Sequence, residues 1–171
     1  MRKASNTPSY HFLDARERAP LAATADLYLR NGQADPNLSL NGALAAAIPG
    51  LPAALVELAK RYGRLPLRDS LAPAIRLARS GVSVDRVYRE RAGWRLAALR
   101  DDAESARIFL DRGEIPAELA LLRQPDLART LERLGSEGHA GFYRGELAAR
   151  LVKGVRAAGG IWTLEDLAQY R

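Results

Sequence analysis

Apolar residues recur at three- and four-residue spacing along most of this chain, and glycine or proline interrupts the pattern at intervals of about one helix. Leu51, Leu55, Leu58 and Tyr62 form one such stripe, and Gly63 follows it directly. This spacing places side chains on a single face of an α-helix, and glycine is favoured just beyond a helix end. The sequence therefore predicts a protein built mainly from amphipathic helices.

The same pattern predicts further helical regions. The last one begins at Thr163, because Thr163 and Asp166 have the spacing of a capping box. It reaches the end of the sequence without a stop signal. The others are a helix from Pro66 to Gly81, a helical region over 85–109 with a break near Asp101-Asp102, a helix from Pro125 to Gly135–Gly138, and one closed by Gly159-Gly160.

One strand is predicted near the start of the chain. Tyr10 and Phe12 alternate with their neighbours as in a half-buried strand, whereas residues 30–42 are rich in Asn, Gly, Asp and Pro and are predicted to form a loop. A single strand without a partner indicates part of a larger domain. We therefore predict a poorly ordered N-terminus over 1–9 and a mainly α-helical partial domain over 10–171.

The composition is that of a globular protein, with 47% hydrophobic and 27% charged residues. All of the 26 basic residues except Lys3, Lys60 and Lys153 are arginines, and they are dispersed among acidic residues. A nucleic-acid surface would cluster them on one face, so no nucleic-acid partner is predicted. No apolar run is long enough for a membrane span, and the N-terminus does not resemble a signal peptide. The localisation is left open.

Common catalytic and cofactor motifs are not found in this sequence. His11 and His139 lack the partners of a metal site, and Ser83 lacks the glycines of a nucleophile elbow. Neither GxxxxGK[ST] nor GxGxxG occurs. We therefore predict no metal ion, no cofactor and no catalytic residue within this chain.

The segment "DARERAP" crowds charges of both signs directly after an apolar stretch. Taken by itself, Arg16 is expected to pair with Asp14 or Glu17 at the surface, because exposed ion pairs are common and weakly stabilising. A second possibility is that an arginine here holds a carboxylate of another molecule. The residues alone leave both possibilities open.

From Phe12 to its end, the chain resembles the middle of the large subunit of the gamma-glutamyltransferase family, also called gamma-glutamyl transpeptidase or glutathione hydrolase. The resemblance depends on several phrases in the order of that family rather than on any one of them. These are "DARERAP", "LAAAIPGLPAAL", "KRYGRLPL", "LAPAIRLARSGVSV", "LRQPDLARTLERL", "FYRGELA" and "AAGGIWTLEDLAQYR".

The resemblance implies an N-terminal nucleophile hydrolase with αββα layers, of which this chain is a mainly helical part truncated at both ends. It further implies gamma-glutamyl transfer or hydrolysis on glutathione and related compounds, through an acyl-enzyme on an N-terminal threonine. A small subunit outside this chain would supply that threonine. None of the threonines here matches the nucleophile motif, so the chain alone is expected to be inactive; they are Thr7, Thr24, Thr130 and Thr163.

The resemblance also gives Arg16 a role as the residue that binds the α-carboxylate of the gamma-glutamyl group. Arginine suits this role because its planar fork donates two parallel, charge-assisted hydrogen bonds. Arg18 occupies a variable position of the family and receives no role, and Glu17 is expected to orient the loop. Two alternatives remain open: a cephalosporin (glutaryl) acylase-like hydrolase, and a non-enzymatic helical interaction module.

Overall fold

A computed structural model describes residues 10–171, in which ten α-helices and four short strands alternate with loops. The predicted disorder of residues 1–9 lies outside the described part of the chain. The helices are α1 (Pro36–Leu40), α2 (Leu51–Tyr62), α3 (Leu67–Ser80), α4 (Arg86–Trp94), α5 (Leu96–Asp101), α6 (Ala103–Phe109), α7 (Pro125–Glu137), α8 (His139–Tyr143), α9 (Gly145–Ala157) and α10 (Leu164–Gln169). The strands are β1 (Leu29–Arg30), β2 (Gln33–Ala34), β3 (Val82–Ser83) and β4 (Leu121–Leu122).

The long helices begin and end where the sequence predicts. Gly63 caps α2 by donating its backbone N–H to Leu58 and Ala59, and α10 has the predicted capping box between Thr163 and Asp166. The helical region before residue 110 breaks at Asp102, whose side chain accepts from the backbone N–H of Ser105 at 2.7 Å. The expectation of a mainly helical chain is confirmed.

The predicted strand at Tyr10–Leu13 is wrong. These residues form no regular structure, and Tyr10 and Phe12 are 90% and 93% exposed. The alternating pattern is present, but within residues 10–171 no neighbouring strand pairs with it. The only backbone pairing of this region comes later, where Arg18 forms an isolated antiparallel bridge with Ile48.

The predicted loop over 30–42 contains more structure than expected. Asn31 and Gly32 have φ angles of 53° and 77° and form the turn between the antiparallel strands β1 and β2. Such positive φ angles at both turn residues match the twist of a two-residue hairpin. Asp35 then accepts from the N–H of Asn37 at 3.0 Å and caps the short helix α1.

The core lies where α3, α7, α8, α9 and α10 meet. Helix α3 packs along α7, and Leu71 of α3 and Leu134 of α7 are both buried. The shortest helix of this group, α8, was missed by the sequence analysis although Phe142 and Tyr143 at its end are buried. The end of α8 thereby places the ring of Tyr143 against Tyr170, the residue that follows α10.

Candidate functional site

The Arg16 side chain lies on the surface and is 83% exposed. Its guanidinium Nη2 is 3.5 Å from Oε1 of Glu17, and the backbone N–H of Arg16 donates to Asp14 at 2.9 Å. Of the two ion pairs expected for Arg16, the structure therefore has the one with Glu17, while Asp14 contacts only the backbone. An exposed pair at this distance contributes little, so the guanidinium is accessible to a ligand.

The backbone of residues 14–21, the Arg16 segment, is by contrast held on one side by residues 48–50. Arg18 and Ile48 exchange two backbone hydrogen bonds, of 3.1 and 2.8 Å. Two residues later, Gly50 comes so close to residues 15 and 16 that a Cβ atom there would overlap the carbonyl oxygens of Ala15 and Arg16. A side chain at position 50 would push the Arg16 segment outward, which explains why glycine is needed here.

Helix α10 and the residue after it hold the segment from the other side. The Tyr170 hydroxyl donates to the carbonyl oxygen of Arg16 at 2.5 Å, and the buried Asp166 accepts from the N–H of Leu21 at 2.6 Å. Arg18 lies over the Tyr170 ring at 5.1 Å and donates to the carbonyl of Arg171 at 3.1 Å. The sequence predicts no role for Arg18, but its contacts join the two ends of the described chain.

Tyr170 is itself fixed by an aromatic stack. Its ring lies nearly parallel to that of Tyr143, with centroids 5.4 Å apart and an interplanar angle of 10°. The His139 ring also stacks on Tyr143, with centroids 4.3 Å apart. The Tyr143 hydroxyl donates to the carbonyl of Pro49 at 2.6 Å and accepts from the N–H of Ala53 at 3.2 Å. Burial raises the pKa of Tyr143 to about 12.

An open cavity of about 740 Å³ lies beside this arrangement. Its lining includes Asp14, Lys60, Arg144 and Tyr170. Arg16 does not line this cavity, although Asp14, two residues earlier, does. Within residues 10–171, neither Lys60 nor Arg144 forms an ion pair, and the lining contains both basic and acidic side chains.

The two histidines make aromatic and backbone contacts. His11 contacts the ring of Tyr62 with centroids 5.6 Å apart, and Nε2 of His139 is 2.9 Å from the carbonyl oxygen of Tyr170. In the part of the chain that the structure describes, no group of three or more His, Cys, Asp or Glu side chains could hold a metal ion. Over the same residues, no helix is both long and apolar enough to cross a bilayer.

The threonines in the described residues lie apart from Arg16 or serve the fold. Thr130 donates to the carbonyl of Asp126 at 3.1 Å, Thr163 caps α10, and Thr24 lies in the exposed turns after Pro20. Thr7 is outside the described residues. The absence of a nucleophile from this chain stays a prediction.

Many of the arginines contact acidic side chains on the surface. Arg107 donates to both Glu104 and Asp126, at 2.7 and 3.0 Å, and Arg129 also contacts Asp126. The hydrogen bond from Arg107 lowers the pKa of Asp126 below its ordinary value. These contacts agree with the interpretation of the arginines as part of a mixed, solvated surface.

Comparison with known proteins places this geometry in a family. The family model described as gamma-glutamyltranspeptidase matches residues 1–171. Glutathione hydrolase 3 of Arabidopsis thaliana is 39% identical over 158 residues, which cover 92% of this chain and 24% of that protein.

Solved structures give the same result. The gamma-glutamyltranspeptidase of Helicobacter pylori has a TM-score of 0.89 and 36% identity, and the match covers 92% of this chain and 46% of that one. The cephalosporin acylase of Bacillus halodurans has a TM-score of 0.78 and 32% identity, covering 92% and 30%. The chain thus spans between a quarter and a half of these proteins. The predicted family and fold class are confirmed: this chain belongs to the gamma-glutamyltranspeptidase family.

Proposed function

We propose that this chain supplies the glutamyl-binding part of a gamma-glutamyltransferase or glutathione hydrolase, and that Arg16 binds the α-carboxylate of the gamma-glutamyl donor. The observation that carries the proposal is that the Arg16 guanidinium is 83% exposed while its own backbone is held by Tyr170 and, through Arg18, by Ile48. An exposed guanidinium, weakly paired with Glu17, on a fixed backbone suits bidentate recognition of a carboxylate.

The proposed reaction needs a nucleophile from outside this chain. A small subunit would supply an N-terminal threonine, whose hydroxyl oxygen attacks the gamma-glutamyl carbonyl carbon while its α-amine takes the hydroxyl proton. The amine of the departing group, cysteinylglycine in the case of glutathione, leaves with a proton. Water then hydrolyses the resulting ester, or an amino acid or peptide accepts the glutamyl group. In both steps Arg16 holds the carboxylate and so fixes the position of the carbonyl.

The test uses the complete protein, meaning this chain assembled with its small subunit. We expect Arg16→Lys to raise the KM for a gamma-glutamyl anilide by about tenfold or more, because lysine cannot donate the second parallel hydrogen bond. The matched control is Arg86→Lys, since Arg86 is also exposed (81%) and faces Glu90 at 3.8 Å. An unchanged KM in Arg16→Lys would reject the proposed role.

A glutaryl acylase is the second candidate, and the likeness to the Bacillus halodurans cephalosporin acylase favours it. A glutaryl group has a carboxylate that Arg16 could bind, but it lacks the α-amine of a glutamyl group. Comparing kcat/KM for gamma-glutamyl anilide and glutaryl anilide separates the two. A preference for the glutaryl compound would identify the acylase.

The sequence also left open a non-enzymatic helical module that uses its arginines to bind a partner. Salt-sensitive binding of the complete protein to DNA, together with no turnover of either anilide, would support that alternative. Turnover that depends on Arg16 would exclude it as the main function.

A further inference from the structure

The Tyr170 hydroxyl contacts the same residue that is proposed to bind the substrate, although the two lie 154 positions apart in the sequence. We propose that Tyr170 is a positioning residue for Arg16: its hydrogen bond to the Arg16 carbonyl sets the direction in which the guanidinium points. This inference rests on the proposed function, because it assigns a role to Tyr170 only through the carboxylate-binding role of Arg16.

The hydrogen bond acts at the atom that controls this direction. The carbonyl and the side chain of Arg16 both leave from its Cα, so fixing the peptide plane after Arg16 limits rotation of the residue as a whole. On the N-terminal side the nearest tether is the 2.9 Å contact between Asp14 and the Arg16 N–H, which lies on an exposed segment. Because the guanidinium is at the end of a long side chain, a small rotation at Cα moves it by ~1 Å, and such a displacement is enough to weaken a positioned contact strongly.

Tyr170 is rigid enough to serve as the reference point. Its side chain is buried, with the residue 4% exposed, and its ring contacts both the Tyr143 ring and the Arg18 guanidinium. Its own carbonyl oxygen is 2.9 Å from Nε2 of His139. Two residues of α8 and Arg18 therefore contact the tyrosine whose hydroxyl reaches Arg16.

Gly50 makes the contact between the two residues possible. A Cβ atom at position 50 would overlap the Tyr170 hydroxyl and would lie 2.6 Å from the Arg16 carbonyl oxygen. The donor and acceptor thus meet in a space that only glycine leaves free. This arrangement limits the choice of residues at position 50 and at position 170 together.

The experiment removes the hydroxyl and keeps the ring. In the complete protein, we expect Tyr170→Phe to raise the KM for gamma-glutamyl anilide by about two- to tenfold, the range for one net hydrogen bond, with kcat changed by less. The matched control is Tyr88→Phe, because the Tyr88 hydroxyl also donates to a backbone carbonyl, that of Phe109, at 2.6 Å. The control is expected to leave KM unchanged.

A double-mutant cycle shows whether Tyr170 acts through Arg16. If it does, Tyr170→Phe has no further effect on kcat/KM once Arg16→Ala is present. An equal effect of Tyr170→Phe in both backgrounds would overturn the inference, and so would an unchanged KM in Tyr170→Phe while Arg16→Lys raises it. In these two cases the proposed function would stand. If neither Arg16 variant changes KM, both the proposed function and this inference fail.

Discussion

The two ends of the described chain have similar apolar content and opposite structures. At the C-terminal end, Trp162, Leu167 and Tyr170 are nearly fully buried. At the N-terminal end, Tyr10 and Phe12 are almost fully exposed. The C-terminal segment has a capping box and a core to pack against, whereas the N-terminal one has neither. The difference shows that the order of the Arg16 segment comes from α10 and residues 48–50, rather than from its own sequence.

The largest expected effect comes from substituting Asp166, whose hydrogen bond to Leu21 joins the two ends of the described chain. Asp166 is 5% exposed, and its carboxylate accepts hydrogen bonds from the N–H of Thr163 at 2.6 Å, from the Thr163 hydroxyl at 2.7 Å and from the N–H of Leu21 at 2.6 Å. Asp166→Ala leaves these donors without a partner. We expect the free energy of unfolding to fall by about 3 kcal/mol, measured by urea denaturation.

Glu165→Ala is the control for this variant. Glu165 is the neighbouring acid in the first turn of α10, but it is exposed and contacts only Gln169, at 2.7 Å. A change below about 0.5 kcal/mol is expected there. Equal losses in both variants would mean that Asp166 acts only as a charge near the helix N-terminus, and that α10 does not hold the other end.

An intermediate effect on stability is expected from substituting Tyr143, whose ring stacks on that of Tyr170. Its raised pKa means that the folded state keeps the phenol proton to a higher pH than the unfolded state. The contribution to stability is therefore fully present below pH 10, the ordinary pKa, and is lost as the pH rises toward about 12. In Tyr143→Phe, this alkaline loss should become shallower, while stability at neutral pH falls by about 1 kcal/mol through the lost hydrogen bonds.

Urea denaturation at several pH values between 8 and 11 measures both changes. Tyr62→Phe is the comparison for the loss at neutral pH, because Tyr62 is 52% exposed and its substitution is expected to change stability by less than about 0.5 kcal/mol. An identical slope in the parent protein and in Tyr143→Phe would show that another group causes the alkaline loss.

The smallest effect is expected at the exposed end. Phe12 is 93% exposed in this chain, so Phe12→Ser removes almost no buried apolar surface. The free energy of unfolding of the chain should change by less than about 0.5 kcal/mol. A loss above 1 kcal/mol would contradict the contrast between the two ends, because it would require Phe12 to be packed in the folded state.

Local signals predicted most of the helices because they depend on neighbouring residues. The stripe ending at Tyr62 covers the 12 residues of α2, about three turns, and the capping box of Thr163 and Asp166 lies within one turn. The strand at Tyr10–Leu13 could not be judged in this way, because a strand needs a partner and its own alternation does not supply one. Helix α8 was missed since Gly138 and Gly141 indicate a turn and its end is buried on all sides.

The candidate site was predicted only in part, for the same reason. The role of Arg16 comes from the resemblance of a short phrase and stays a prediction, while the structure shows only that its guanidinium is exposed. The residues that hold it were not found, because Ile48, Gly50 and Tyr170 are brought to Arg16 by the tertiary fold alone. Nothing near residue 170 in the sequence indicates that its hydroxyl reaches residue 16.

The separation of 154 positions between Tyr170 and Arg16 has a consequence for how the protein folds. Contacts between residues so distant along the chain form slowly, because a long loop must close before they gain any energy. The intervening helices depend more on local interactions, so we expect the contacts around Arg16 to be completed in the final stage of folding. A chain released early from the ribosome or cut by a protease before residue 166 would keep most of its helices and lose the geometry around the guanidinium.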